Sequence, residues 1–171
     1  AMSAGSIRAE SVRAMLGLAD RGRIFDLLEQ LMGGAAGEAL QQLAGLHRDG
    51  AEPGQILADL AEAVHITTRA KTLGPAAAGE GLSAEERQRA VALAAQLSIP
   101  LLARAWQLLL KGIEEVGRAP DALAAAEMVL IRLAYTADLP APDALIRALG
   151  GAAGAAPSRG APAPSPQPSR G

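Results

Sequence analysis

Histidine is the side chain best suited to bind a metal or transfer a proton near neutral pH, and this chain has two, His47 and His65. No HxxxH spacing places two imidazoles on one helix face, and there is no cysteine to supply a thiolate. His47 falls at a predicted helix C-terminus, where a positive charge interacts favourably with the helix dipole. His65 lies at the margin of an apolar stripe. Structural roles are favoured for both, and we predict no metal-binding residue.

Two pairs of adjacent carboxylates, Glu85-Glu86 and Glu114-Glu115, also have the chemistry of general acids and bases. Ser83 and Glu86 have capping-box spacing, which explains the first pair as part of a helix start. Neighbouring positions on a helix point to different sides, so Glu114 and Glu115 do not converge on one substrate. Ser83 has no histidine placed to activate it as a nucleophile. We therefore predict no catalytic residue and no enzymatic activity.

Glycine-rich loops that bind nucleotide phosphates follow a strand and precede a helix. The clusters Gly33-Gly34-Gly37 and Gly79-Gly81 do not follow predicted strands, and the GxxxxGK[ST] motif is absent from the sequence. We predict no cofactor-binding residue and no cofactor.

The composition indicates an all-α protein. Of 171 residues, 50% are hydrophobic but only 2% are aromatic, and the apolar residues are mostly the helix formers Ala and Leu. The formal net charge of −2 provides no basic field that would attract nucleic acid. The sequence has no apolar run of transmembrane length and no signal peptide, so we expect a cytoplasmic protein without a membrane partner.

Apolar periodicity and helix-ending residues predict an antiparallel bundle of roughly seven to eight helices. We expect one helical domain over residues 8–149, a disordered N-terminus or tag remnant at 1–7, and a disordered Pro/Ala-rich linker at 150–171. Gly33-Gly34 and Gly50 are expected to end helices, Pro53 to begin one, and Ser98 to precede another. The predicted helices are 7–16, 20–32, 35–48, 53–73, 83–97, 100–116, 121–138 and 142–149.

The stretch from Trp106 to Tyr135 contains the only tryptophan and the only tyrosine, and its two helices are apolar on more than one side. Two interpretations fit this pattern. Both helices lie in the core of the bundle, or one face of them forms the core while the other docks onto a copy or a relative of this chain.

Charged residues within this stretch also allow two interpretations. Glu127 lies among apolar residues, and it either pairs within the chain with Arg104, Lys111 or Arg132 or makes a polar contact across a subunit interface. The basic residues form either a solvated helix face or a patch that contacts nucleic acid. Such a patch would contact phosphates without sequence specificity, because no aromatic residue is interleaved with the basic residues for base stacking. They are Arg87, Arg89, Arg104, Lys111 and Arg118.

Several segments together resemble the third domain of the gamma/tau subunit of bacterial DNA polymerase III, and their wording looks like that of alphaproteobacterial forms. The resemblance covers about residues 8–149, and the Pro-rich stretch from Gly150 is similar to the start of that subunit's linker. The segments are SVRAMLGLADRGRIFDLLEQLMGG, DLAEAVHITTRAK, WQLLLKGIEEV, APDALAAAEMVLIRLAY and LPAPDAL.

The resemblance implies a helical collar domain of the ATP-driven loader of the sliding clamp. Its partners would be further gamma/tau copies and the delta and delta-prime subunits, joined in a closed ring of five. The sequence shows none of the family's ATPase motifs, so no ATPase residue can be assigned. The residues expected to supply core and interface together are Leu101, Leu102, Trp106, Leu109, Leu110, Met128, Ile131 and Tyr135.

A ring of this kind requires two different surfaces on each subunit, because contacts between successive subunits are heterologous. The alternative function is a helical nucleic-acid-binding or adaptor domain with weak phosphate contacts and no sequence-specific recognition. A small helical enzyme is a further possibility, but it would need a pocket with convergent polar groups.

Overall fold

The structure, a computed structural model, describes residues 21–138. This part contains six α-helices and no strand, which confirms the all-α class. They are α1 (residues 21–32), α2 (Ala36–Arg48), α3 (Pro53–Leu73), α4 (Ala84–Gln96), α5 (Ile99–Arg118) and α6 (Ala122–Asp138), with a 3₁₀ turn at Pro75–Ala77. Each of these six helices lies where the sequence predicted one. The predicted helices at 7–16 and 142–149, the segment 1–7 and the linker 150–171 lie outside the described residues.

Glycine ends the first two helices, as predicted. Gly34 (φ +77°) and Gly50 (φ +101°) adopt the left-handed conformation, which residues with a Cβ rarely adopt. After α2, the N–H of Gly50 donates to the carbonyl of His47, and the N–H of Ala51 donates to the carbonyl of Leu46. This Schellman arrangement satisfies carbonyls that the end of a helix would otherwise leave without a donor.

Side chains begin the later helices. The hydroxyl of Ser83 accepts from the N–H of Glu86 at 3.1 Å, and the Glu86 carboxylate accepts from the N–H of Ser83 at 2.7 Å. This is the predicted capping box of α4. Ser98 similarly caps α5 through a 3.3 Å bond from the N–H of Leu101, and Pro53 occupies the first turn of α3.

Helix α3 is at the centre of the domain and contacts α2, α4, α5 and α6. Its Ile56, Leu57, Leu60 and Val64 are buried, and burying a side chain of this kind stabilises the fold by about 1.5–3 kcal/mol. The largest fully buried side chains of the other helices are Leu27, Leu28, Leu31, Leu43, Leu46, Leu102, Leu109, Leu130 and Leu133.

A close approach joins α5 to α6 at Gly112. A Cβ built on Gly112 would lie 2.6 Å from Cγ1 of Val129, so only glycine fits between the two helices at this point.

Helices α3 and α5 run antiparallel, since Gly54 lies near Val116 at one end and His65 lies near Trp106 further along. Helix α5 is therefore held between α3 and α6.

Candidate interaction surface

Helix α5 has a buried side, which the core covers, and a separate apolar side, which it exposes. Leu102, Ala105, Leu109 and Val116 are buried, as is Gly112. A different row of side chains is exposed to solvent: Ile99 is 40% exposed, Trp106 is 38% exposed and Leu110 is 44% exposed. An isolated bundle gains nothing by exposing three large apolar side chains in one row, so this side suits a partner.

The structure divides the predicted interface residues into three groups. Leu102 and Leu109 lie in the core and have no exposed surface, so they have none to offer a neighbour. Leu101 and Ile131 are partly buried. The exposed members are Trp106, Leu110, Met128 and Tyr135.

A groove of about 290 Å³ lies between α3 and α5, and we call it the α3–α5 groove. Its lining is mainly apolar. The imidazole of His65 and the indole of Trp106 stand side by side within it, with ring centroids 6.0 Å apart at an interplanar angle of 48°. The lining residues are Val64, His65, Thr68, Ile99, Leu102, Ala103, Trp106 and Gln107.

Helix α6 exposes a second apolar row, which we call the α6 stripe: Ala124, Met128, Ile131 and Tyr135. The spacing of four, three and four residues places them on one helix face, opposite the buried side of α6. Met128 is 54% exposed and Tyr135 is 67% exposed. The α6 stripe is convex, unlike the groove, because it follows the outer surface of a single helix.

Arg132 lies beside the α6 stripe and forms an ion pair with Glu115 of α5. Its Nη1 donates to Glu115 Oε1 at 3.1 Å, and its Nη2 donates to Oε2. The hydrogen bond from Arg132 holds the pKa of the Glu115 carboxyl below its usual value, and the same bond raises the pKa of Arg132. The pair fixes α5 against α6 and occupies the guanidinium of Arg132.

The other predicted polar contacts do not form within residues 21–138. Among the described residues, Glu127 makes no hydrogen bond or ion pair with Arg104, Lys111 or Arg132, and its contact across a subunit interface stays a prediction. Glu115, on the neighbouring helix, takes the place of Glu127 as the partner of Arg132. Arg104 and Lys111 line a shallow depression between α5 and α6, and the charge of Lys111 helps to lower the pKa of Glu115.

Arg89 does not belong to a free basic patch. It bridges α4 to α1, donating to the carbonyl of Gly22 at 2.9 Å and pairing with Asp26 at 2.5 Å and Glu29 at 3.1 Å. Its guanidinium also lies 5.8 Å from the ring centroid of Phe25. One of the five basic residues considered for a solvated face or a phosphate-contacting patch is thus engaged within the fold.

Sequence reasoning missed that His65, Ile99 and Ala103 belong to the same surface as Trp106. The spacing of Ile99, Ala103, Trp106 and Leu110 is itself helical, with steps of four, three and four, and could have revealed the row. The contribution of His65 depends on which helix lies beside α5, and periodicity does not contain that information.

Within residues 21–138, no group of three or more His, Asp or Glu side chains is placed to hold a metal ion. In the same part of the chain, no single helix combines the length and apolarity needed to cross a membrane. The pair α4–α5 reaches that threshold only when the two helices are taken together, and it is bent by 116° at the break.

The model of one protein family matches this chain over residues 7–149, and its description is DNA polymerase III subunits gamma and tau domain III. The matched range includes every described residue. No curated protein sequence matches the chain.

Proposed function

The chain belongs to the family of domain III of DNA polymerase III subunits gamma and tau, and from this premise we propose that it is a collar domain that assembles the clamp loader. It contributes binding surfaces and no catalysis of its own. Its partners are other gamma/tau copies and the delta and delta-prime subunits, in a ring of five. The assembly acts in the cytoplasm during loading of the sliding clamp.

The observation that supports this proposal most is the apolar surface exposed on α5 and α6. The core of residues 21–138 contains twelve large side chains that are almost fully buried. Trp106, Leu110, Met128 and Tyr135 are nevertheless exposed. Trp and Tyr are among the residues that contribute most to binding energy at protein interfaces. A domain that only had to fold would gain solubility by replacing them with polar residues.

The charges of the domain support protein contact over nucleic-acid contact. The net charge is −2, and Arg89 is held by two carboxylates of α1. Phosphate-directed binding depends on free Lys and Arg side chains and falls steeply with salt.

The test is the mass of the full chain in solution, alone and mixed with delta and delta-prime, by sedimentation velocity at micromolar concentration. We expect self-association or incorporation into a complex with those subunits. A chain that stays monomeric at high micromolar concentration and enters no complex with delta and delta-prime would contradict the proposal. A short DNA duplex in the same experiment is expected to leave the sedimentation of the chain unchanged.

A further inference from the structure

Resting on the proposed assembly function, we infer that the α3–α5 groove of one copy receives the α6 stripe of a second copy. The contact is heterologous, so each copy uses its groove on one side and its stripe on the other. The occupant of the groove is thus a helix of the same chain in another molecule.

The shapes of the two surfaces match a helix in a groove. Amphipathic helices bind apolar grooves through anchors at positions i, i+3 or i+4, and i+7. Met128, Ile131 and Tyr135 have the spacing i, i+3 and i+7. The groove provides the indole of Trp106 and the side chain of Ile99 as partly exposed apolar walls.

A molecule cannot fill its own groove with its own stripe. Helix α6 meets α5 through Val129 and Arg132, which contact Gly112 and Glu115. From helical periodicity, Glu115 lies on the opposite side of α5 from Trp106. The groove and the stripe therefore face away from the α5–α6 contact in different directions, and within residues 21–138 no helix covers either of them.

A two-fold contact between two identical stripes accounts for less of the surface. It would cover Met128 and Tyr135 but leave Ile99, Trp106 and Leu110 exposed in both copies. Groove-to-stripe contact covers both apolar surfaces with a single type of interface, and repeating it adds further copies.

The charges of the two surfaces are complementary. The α3 residues that line the groove are Val64, His65 and Thr68. The charged residues that follow on α3, Arg69 and Lys71, are both cationic, and they donate to the carbonyls of Ala77 and Ala94. The α6 stripe is bordered by Glu127, which has no ion-pair partner among the described residues, and by Arg132, which Glu115 neutralises. Opposite charges at the rim of an apolar contact favour one orientation of the partner.

Two substitutions test the inference, because each blocks only one surface. Ala103→Arg fills the groove with a long charged side chain, and Met128→Arg places a charge in the stripe. Ala92→Arg is the matched control, since Ala92 is an exposed alanine on α4 that belongs neither to the groove lining nor to the stripe. Circular dichroism and thermal unfolding of each variant check that the helices remain folded.

We expect each blocked variant to self-associate at least about tenfold more weakly than the wild type, while Ala92→Arg associates normally. An equimolar mixture of the two blocked variants should form a 1:1 dimer of near wild-type affinity. In that mixture, the intact groove of one variant meets the intact stripe of the other. The dimer should not grow further, because its two outer surfaces are both blocked.

The outcomes separate this inference from the proposed function. If the wild type neither self-associates nor joins delta and delta-prime, the proposed function fails. If it associates but the mixture of blocked variants stays monomeric, or if Ala103→Arg has no effect, the groove-to-stripe contact is wrong.

Cross-linking gives a second readout, since the chain has no native cysteine. Ala103→Cys mixed with Met128→Cys should form a disulfide-linked heterodimer under mild oxidation. Preferential formation of a Met128→Cys homodimer would instead indicate a stripe-to-stripe contact and overturn the inference.

Discussion

The absence of a Cβ at Gly112 allows α5 and α6 to approach each other closely. Gly112 has no Cβ, and Val129 fills the space that a Cβ would occupy. Valine is branched at Cβ and cannot swing aside easily. Substitution at this glycine therefore acts on the contact between two helices and not only on the helix that contains it.

We expect Gly112→Ala to lower the free energy of unfolding by about 1 kcal/mol. Overpacking costs about 1–3 kcal/mol, and the higher helix propensity of alanine recovers about 1 kcal/mol of it. Urea denaturation measures the change. Gly117→Ala is the control on the same helix, because a Cβ at this position would meet no atom within 4 Å, and it should be neutral or stabilising. Equal effects of the two substitutions would show that the contact with Val129 is not tight.

The ion pair between Glu115 and Arg132 gives the domain a pH-dependent contribution to stability. The pKa of Glu115 is lowered in the folded state, so the contribution is present above the carboxyl's unfolded pKa and is lost as the pH falls through the lower folded pKa. Glu115→Gln should thus destabilise the domain at pH 7 and have no effect on its stability at the acidic end of the titration. Since both side chains are partly exposed, the effect is small and weakens with salt.

Chemical denaturation of the wild type and Glu115→Gln across this pH range provides the measurement. Glu114 is a neighbouring exposed carboxylate without an ion-pair partner in residues 21–138. The control variant Glu114→Gln should therefore differ from the wild type in stability by the same amount at acidic and neutral pH. An equal loss for Glu115→Gln at acidic and neutral pH would mean that packing, and not charge, is responsible.

At the scale of elements, local signals in the sequence account for most of the fold. Glycine at Gly34 and Gly50, proline at Pro53 and the capping box at Ser83 place the ends and starts of the helices, because these residues act within one turn of their own position. The six described helices agree with those signals.

What the sequence could not provide is the assignment of each apolar residue to a neighbour. Leu109 and Leu110 are adjacent in sequence, yet one is fully buried and the other is 44% exposed. A helix that is apolar on two sides gives no indication of which side meets α3 and the core. The pairing of Arg132 with Glu115 in place of Glu127 was missed for the same reason, since it depends on the register between α5 and α6.

We expect the N-terminal cap at Ser83 to stabilise α4 more than the cap at Ser98 stabilises α5. Ser83→Ala removes half of a reciprocal capping box and should cost about 1 kcal/mol of stability. Ser98→Ala removes a single, longer hydrogen bond of 3.3 Å and should cost less. Thermal and urea unfolding of both variants test this order. The reverse order would mean that the start of α5 depends more strongly on its cap than these bond lengths indicate.

At the scale of the whole molecule, the proposed assembly is driven by apolar burial, and this determines how it should respond to solution conditions. The groove and the stripe bury aromatic and aliphatic side chains, while charge acts only at their rims. We expect self-association to change little between about 0.1 and 1 M NaCl, because the Debye length falls from about 10 to 3 Å and screens only the rim charges. Cooling should weaken the association, as expected for apolar burial, and sodium sulfate should strengthen it. Sedimentation velocity over these conditions provides the measurement, with Met128→Arg as the variant whose weak association should respond least. A steep loss of association in NaCl would assign the binding energy to ion pairs, and the apolar surfaces of α5 and α6 would then need another partner.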